Sequence, residues 1–204
     1  MFNKDGLIQT NSSPHSPHQI IPKEISTNTT ILDIGCNTGI LGKILFRKNI
    51  LDGIDINPKA LSKAKKYYRH LYHLDLSDSK LPVLNRKYDY IVFSDILEHL
   101  PRPDILLKNT KKYLNKDGII ICSLPNIARL EIRLNLLFGK FDYSSAGILN
   151  QDHLRFFTKK SATELFTKTG YHVFKTIPTG LGHSLKLFPS LTAFQFIFLA
   201  KAIN

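Results

Sequence analysis

Short apolar runs alternate with segments of helical periodicity along most of the chain. The strand-like runs lie at 30–35, 51–56, 70–76, 88–94 and 118–124. Helical segments separate them at 40–48, after Asn57-Pro58 and at 103–115. Near-continuous apolar runs are typical of strands that are buried on both faces of a parallel sheet, with helices as the crossovers. The pattern therefore predicts a doubly wound α/β domain.

The pattern changes after residue 125. Apolar positions at helical spacing predict a helix at 126–138, which either covers the active site or touches a membrane. Thr158 begins a last helix, and Gly170 ends it. Two further strands are expected at 171–177 and 191–202. Three aromatic residues are expected on one face of the second of these strands: Phe194, Phe196 and Phe198.

Length and composition favour one domain. The 204 residues fit a single domain at 18–204, preceded by a flexible N-terminal arm at 1–17 that is rich in Asn, Ser, Pro and His. The longest nearly apolar stretch, 193–200, is far shorter than the roughly 20 residues that cross a bilayer. No transmembrane segment or signal peptide is expected, so the predicted location is cytoplasmic. Cys36 and Cys122 stand in apolar contexts without metal-ligand spacing, which predicts buried thiols.

The net charge is +12, and this surplus can attract nucleic acid, anionic lipid or a phosphorylated substrate. The chain has 21 Lys and 7 Arg. Lys is a strongly hydrated point charge, whereas Arg is the residue that binds phosphates and bases with a planar fork. The composition favours a solvated surface.

The end of the first strand, ILDIGCNTG, carries glycines where a ligand would approach the backbone. A dinucleotide fingerprint would need glycines at 35, 37 and 40, but Asn37 and Ile40 occupy the last two positions. A phosphate-binding P-loop is also absent. Asp55 follows Gly35 by 20 positions and suits the paired hydroxyls of a ribose, although it could instead cap the next helix. Asp75, after the third strand, could accept from an adenine amino group.

Five motifs together resemble class I S-adenosylmethionine-dependent methyltransferases. They are ILDIGCNTG, GIDINPKAL, HLDL, YDYIVFSDILEHLPRPDILL and LNKDGIIICSLPN, in the family's order and spacing. The later stretch RLNLLFGKFDYSSAGILNQDHLRFFTKKSATELF is typical of a subgroup found among polysaccharide and small-molecule methyltransferases. The resemblance covers about residues 16–202.

The resemblance implies a seven-stranded, mostly parallel Rossmann-like sheet whose last strand pair is antiparallel. It implies S-adenosylmethionine as the cofactor. The cofactor-binding residues that it implies are Asp33, Gly35, Cys36, Asn37, Gly39, Asp55, Ile56, Asp75, Leu76, Ser94 and Asp95. Many members have Gly where this chain has Asn37, but Asn tolerates a left-handed backbone better than most residues do.

Two groups of residues, at 98–99 and at 152–155, are candidates for contact with the methyl acceptor. His99, next to Glu98 in the loop after the fourth strand, is the first candidate for a general base or a substrate hydrogen bond. His153 could assist proton transfer, and Arg155 could bind an anionic acceptor. The alternatives are structural: a His99 that Glu98 holds in place, and helix capping with a surface ion pair around 152–155.

The acceptor clues are mostly negative. Ser94-Asp95 replaces the Asn/Asp-Pro-Pro-Tyr/Phe motif of nucleic-acid amino methyltransferases. Of the Glu-x-x-Glu-His-His metal cluster of small-RNA ribose methyltransferases only Glu98-His99 is recognised, so no metal is expected. We expect methylation of a small-molecule hydroxyl, on a sugar, a glycan or a lipid-linked intermediate, and no nucleic-acid partner. An accessory protein that binds the cofactor and acts through another enzyme, and an RNA methyltransferase, are the alternatives.

Overall fold

One sheet of seven strands organises the computed structural model, which describes residues 15–180, 182 and 188–203. The strands are β1 (Thr30–Ile34), β2 (Ile50–Asp55), β3 (His70–His73), β4 (Tyr88–Ser94), β5 (Leu114–Pro125), β6 (Tyr171–Pro178) and β7 (Gln195–Ala202). The helices are α1 (Pro17–Ile20), α2 (Ile40–Leu45), α3 (Pro58–Ala64), α4 (Pro103–Thr110), α5 (Leu130–Leu137), α6 (Lys159–Lys168) and α7 (Pro189–Thr192).

The strand order is β3-β2-β1-β4-β5-β7-β6. The first five strands are parallel to one another, whereas β7 is antiparallel to both β5 and β6. This arrangement confirms the predicted doubly wound, seven-stranded sheet with an antiparallel last pair. The chain reverses its direction of winding between β1 and β4, which lie side by side at the centre of the sheet.

The core lies on both faces of the sheet. Along β4, Ile91 and Phe93 belong to one buried cluster, and Tyr90 and Val92 belong to the cluster on the opposite face. Successive side chains of a strand point to opposite faces, so a strand without polar alternation buries both. The continuous apolar run at 88–94 therefore encodes a central strand.

Several boundaries differ from the sequence prediction. The third strand ends at His73, so Asp75 and Leu76 lie beyond it. The turn predicted at 115–118 is an irregularity inside β5, since Tyr88 pairs with Leu114 and Tyr90 with Ile119. The predicted long last strand is wrong at its start: the short helix α7 precedes it, because Pro189 favours a first helical turn. Phe194 therefore precedes β7, and it does not share the burial of Phe196 and Phe198.

Most of the predicted N-terminal arm, residues 1–14, lies outside the described residues. At its described end, Ser16 and Pro17 are buried, and α1 begins at Pro17. Within the described part of the chain, no helix is both long enough and apolar enough to cross a membrane. Cys36 and Cys122 are buried and form no disulfide, as predicted.

Candidate active site

The loops that follow β1, β2 and β4 emerge at the same edge of the sheet, because these strands are parallel neighbours. In open α/β sheets, ligands bind outside the carboxyl ends of the strands, where the strand order reverses. Here that point lies between β1 and β4. Most of the residues predicted from the sequence to bind a cofactor stand on these loops.

The loop after β1 turns sharply through three residues with positive φ. Gly35, Asn37 and Gly39 have φ values of 79°, 43° and 78°. Gly35 suits this position because of its positive φ, and a Cβ atom there would also come within 3.0 Å of the side chain of Ile96. Asn37 adopts the left-handed backbone that the sequence analysis expects it to tolerate.

Asp55 ends β2 and is buried beside this loop. Its Oδ2 accepts a hydrogen bond from the backbone N–H of Asn37 at 2.8 Å, and its Oδ1 accepts one from Asn57 at 2.8 Å. The cap of α3 is Asn57, whose side chain accepts from the backbone of Lys59 and Ala60. Helix capping therefore does not explain Asp55, which is instead held in one orientation by two backbone donors.

Asp33 lies under the same loop, in β1, and is almost fully buried. It accepts a hydrogen bond from the hydroxyl of Tyr68 at 2.5 Å, and this hydroxyl accepts one from the N–H of Gly42 at 3.1 Å. Burial raises the pKa of Asp33 to about 7; the Tyr68 hydrogen bond opposes the shift and the negative charge of Asp55 adds to it. Burial likewise raises the pKa of the Cys36 thiol, which makes Cys36 an inert wall of the loop.

The residues expected around an adenine differ in exposure. Asp75 is exposed, and its Oδ1 accepts from the N–H and the hydroxyl of Ser77, which lowers the pKa of Asp75. Leu76 is buried in the core, whereas Ile56 is 58% exposed. Ile56 therefore supplies an apolar surface next to the tip of β2, and Asp75 offers a carboxylate that faces solvent.

Ser94 is the last residue of β4, and Asp95 follows it at the start of the next loop. The hydroxyl oxygen of Ser94 is buried and has no hydrogen-bond partner among the described residues. Asp95 has a φ of 54°, and its Oδ1 accepts from the hydroxyl of Ser123 at 2.8 Å and from Nε2 of Gln195 at 2.6 Å. Positive φ is strained for a residue with a side chain, so these contacts hold Asp95 in an uncommon conformation.

The N-terminal segment adds a wall that the sequence analysis did not assign to the site. Pro17, His18 and Ile21 line one pocket together with Ser94 and with residues of the loop after β1. Burial lowers the pKa of His18, and the nearby negative charge of Asp95 opposes this shift. No motif marks His18, because only the packing of α1 against the loop brings it to the site.

The loop after β4 and the loop before α6 are in contact where the methyl acceptor is expected. Leu154 and Arg155 donate backbone hydrogen bonds to the carbonyl of Glu98 at 2.8 and 3.0 Å. His99 places its Nδ1 3.0 Å from the carbonyl oxygen of Asp152, and the rings of His99 and His153 lie 4.7 Å apart edge to face. The fold therefore brings together the two histidines that the sequence analysis considered separately.

Glu98 does not hold His99 in place, as one alternative expected. Its side chain is 1% exposed, and neither carboxylate oxygen has a hydrogen-bond partner among the described residues. One potential ligand atom from each of Glu98, His99 and His153 lies within 4.8 Å of the others. The sequence motif indicated only Glu98 and His99. The fold adds His153 to them, although it lies more than 50 residues further along the chain.

Arg155 stands apart from this group. Its side chain is exposed, and its guanidinium donates a hydrogen bond to the carbonyl of Pro101 at 2.7 Å. The structural alternative was helix capping with a surface ion pair. Thr158 caps α6, and within the described residues Arg155 forms no ion pair. Binding of an anionic acceptor by Arg155 stays a prediction.

Comparison with protein families decides the class of this site. A family described as a methyltransferase domain matches residues 12–176, which is most of the chain. The chain belongs to this methyltransferase family. The expected class, S-adenosylmethionine-dependent methyltransferase, and the expected cofactor are therefore confirmed.

Individual relatives match shorter parts. Over 111 residues, or 52% of the chain, it is 35% identical to a ribosomal protein L11 methyltransferase of Clostridium perfringens and covers 34% of that protein. Over 106 residues, or 47% of the chain, it is 29% identical to a ubiquinone biosynthesis O-methyltransferase of Actinobacillus pleuropneumoniae and covers 45% of it. The chain therefore spans less than half the length of either relative.

A solved structure agrees over nearly the whole fold. The S-adenosylmethionine-dependent methyltransferase of Clostridium acetobutylicum superposes with a TM-score of 0.68 at 16% identity, covering 96% of this chain and 94% of the other. At this identity the likeness concerns the fold.

The residues present fit the cofactor. Asp55 offers two oriented oxygens for the hydroxyls of a ribose, and the backbone of the loop after β1 lets a ligand come close. The buried, unpartnered hydroxyl of Ser94 lines the same pocket and would gain a partner from a polar ligand.

Proposed function

We propose that the chain transfers a methyl group from S-adenosylmethionine to a hydroxyl group of a small molecule, such as a sugar, a glycan or a lipid-linked intermediate. One observation carries the proposal: the edge of the sheet that bears Asp55, a residue suited to ribose, also bears the His99–His153 pair. The O-methyltransferase among the relatives supports oxygen as the acceptor atom.

When bound, the cofactor supplies an electrophilic methyl group, so the chain has to orient an acceptor and handle its proton. His99 is suited to this task. A carbonyl oxygen only accepts hydrogen bonds, so the contact between Nδ1 and Asp152 fixes the proton on Nδ1 and leaves the lone pair on Nε2. Nε2 of a neutral His99 is then the atom that can accept from an acceptor hydroxyl.

The remaining residues of the loops complete the proposal. Arg155 would contact an anionic group on the acceptor, since a guanidinium has five N–H donors and the contact with Pro101 uses one. The helix α5, with Leu134 and Leu137 exposed, would cover the site or contact a lipid-linked acceptor. The two buried thiols agree with a cytoplasmic location.

Transfer of a labelled methyl group tests the proposal. The protein is incubated with S-adenosylmethionine labelled in its methyl group and with separate pools of sugars, polyprenyl phosphates and bulk RNA. We expect label in a small-molecule pool, and a decrease in turnover of about 100-fold or more in His99→Ala, which removes a proton acceptor. The exposed His172 on β6 provides the matched control, His172→Ala, which should keep full activity.

Other results would contradict the proposal. Label in RNA alone would favour the RNA methyltransferase alternative. Cofactor binding without transfer to any pool would favour an accessory role. Wild-type turnover in a folded His99→Ala variant would remove His99 from the reaction.

A further inference from the structure

Glu98 places a buried carboxylate beside His99 and His153. Glu98 is 1% exposed and its carboxylate has no hydrogen-bond partner in the described part of the chain, and an ionised carboxylate in such surroundings is strongly disfavoured. Such a group needs an explanation, and an ion that is bound in the working protein is one of the few available. A cation beside Glu98 would compensate the burial of its carboxylate.

The two histidines have the arrangement that metal ligands require. A histidine that binds a metal through one nitrogen usually donates the other N–H to a carbonyl or carboxylate, which fixes its tautomer and ring orientation. Both histidines do so: Nδ1 of His99 lies 3.0 Å from the carbonyl oxygen of Asp152, and Nδ1 of His153 lies 3.0 Å from that of Ile148. In each ring, Nε2 then carries the lone pair.

The cluster is also held firmly. Glu98 is joined to the loop that carries His153 by the two hydrogen bonds that its own carbonyl accepts. Asp95, whose charge acts on both Glu98 and His153, is anchored by Ser123 and Gln195. Two loops from distant parts of the chain thus hold the three candidate ligands within 4.8 Å, a separation that small side-chain rotations can close around one ion.

We propose that Glu98, His99 and His153 bind a divalent transition-metal ion. Two imidazoles and one carboxylate are a ligand set that suits Zn²⁺, Co²⁺ or Fe²⁺ and leaves coordination positions open to other ligands. An oxygen atom of the acceptor would bind at an open position. A hydroxyl group or a vicinal diol provides such an oxygen ligand. With the ion bound, Nε2 of His99 would be a ligand of the ion, so contact through the ion would replace the direct hydrogen bond from the acceptor hydroxyl to His99. This acceptor role rests on the proposed function, whereas the metal site itself rests on the cluster alone.

Metal binding to the full chain tests the inference without activity. The protein is treated with a chelator, transferred to chelator-free buffer and titrated with Co²⁺, which is followed by its visible absorption, and with Zn²⁺ by calorimetry. We expect one ion per chain and visible bands typical of nitrogen and oxygen ligands. Glu98→Gln and His153→Ala should each weaken binding at least about 100-fold, a larger loss than the roughly 10–100-fold found for residues that only support ligands. His172→Ala should bind as the wild type does.

Binding of neither ion at one per chain, or equal affinity in the wild type and in a folded Glu98→Gln variant, would overturn the inference. Should Glu98→Gln not fold, the half-buried His99 supplies a second variant, His99→Gln, with the same expected loss. Binding of S-adenosylhomocysteine to the metal-free protein is measured in parallel. A wild-type protein that binds S-adenosylhomocysteine but neither metal ion contradicts this inference alone, whereas absence of S-adenosylhomocysteine binding contradicts the proposed function.

Discussion

Two carboxylates, Asp52 in β2 and Glu98 after β4, are buried to the same 1% exposure but have opposite surroundings. Asp52 forms an ion pair with Arg69 and accepts from the hydroxyl of Tyr88 at 2.8 Å and from the N–H of His70 at 3.2 Å. Glu98 has no such contact within the described part of the chain. Burial is therefore compensated at Asp52, whereas at Glu98 the described part of the fold leaves it uncompensated, at the edge of the sheet that carries the candidate site.

Asp33 is intermediate, since among the described residues it has the neutral hydroxyl of Tyr68 as a partner and no cation in contact. Its pKa of about 7 is above the unfolded value of about 3.9, so the folded protein takes up a proton that the unfolded chain has released. The stabilising contribution of Asp33 is then full below about pH 4 and is lost as the pH rises to about 7. Relative to Asp33→Asn, the wild type should lose on the order of 4 kcal/mol over this range.

Urea denaturation of both proteins at several pH values between 4 and 8, without cofactor, measures this difference. A difference that does not change with pH would show that the Asp33 carboxyl ionises in the fold as it does in water.

Asp52→Leu should lower the free energy of unfolding by about 3 kcal/mol, because it leaves the charge of Arg69 and the hydroxyl of Tyr88 without their partner. Urea denaturation at neutral pH measures this change in the free energy of unfolding. The exposed pair of Asp78 and Lys80 is the control, and Asp78→Leu should leave the free energy of unfolding nearly unchanged. Equal effects at the two sites would contradict the structural role of Asp52.

Glu98→Met, the same kind of change at the unpartnered carboxylate, should leave the stability of the metal-free protein unchanged or raise it by about 1 kcal/mol. An apolar side chain of similar shape removes a polar group whose burial is uncompensated. Thermal unfolding checks the sign, and added Zn²⁺ should raise the melting temperature of the wild type but not that of the variant. A loss as large as that expected for Asp52→Leu would mean that the fold already compensates Glu98.

Much of the fold could be predicted from the sequence, because its strongest elements are continuous apolar runs. The run at 88–94 has the same bounds in the structure, since both faces of β4 are buried. Prediction was poorer where tertiary contacts determine the backbone. The stretch 115–118 has the composition of a turn, but β5 continues through it, and Asn115 donates a hydrogen bond to Asp89 at 2.6 Å.

In the candidate site, too, some residues could be predicted from the sequence and others depend on tertiary contacts. Asp55 is recognisable from its position after an apolar run and its distance from Gly35, because local chain geometry determines both. The meeting of His153 with Glu98 and His99 depends on hydrogen bonds between loops that are more than 50 residues apart, and no local pattern encodes it. That Glu98 has no hydrogen-bond partner among the residues described here is likewise a property of the packing.

Calorimetric titration with S-adenosylhomocysteine tests the central claim, that the edge of the sheet around Asp55 binds the cofactor. The account predicts saturable binding at one site. In Asp55→Ala, affinity should fall about 100-fold or more, because two hydrogen bonds to a charged group contribute roughly 3 kcal/mol or more. Asp117→Ala, at an exposed carboxylate in β5, should bind as the wild type does. Absence of binding, or unchanged affinity in Asp55→Ala, would contradict the account.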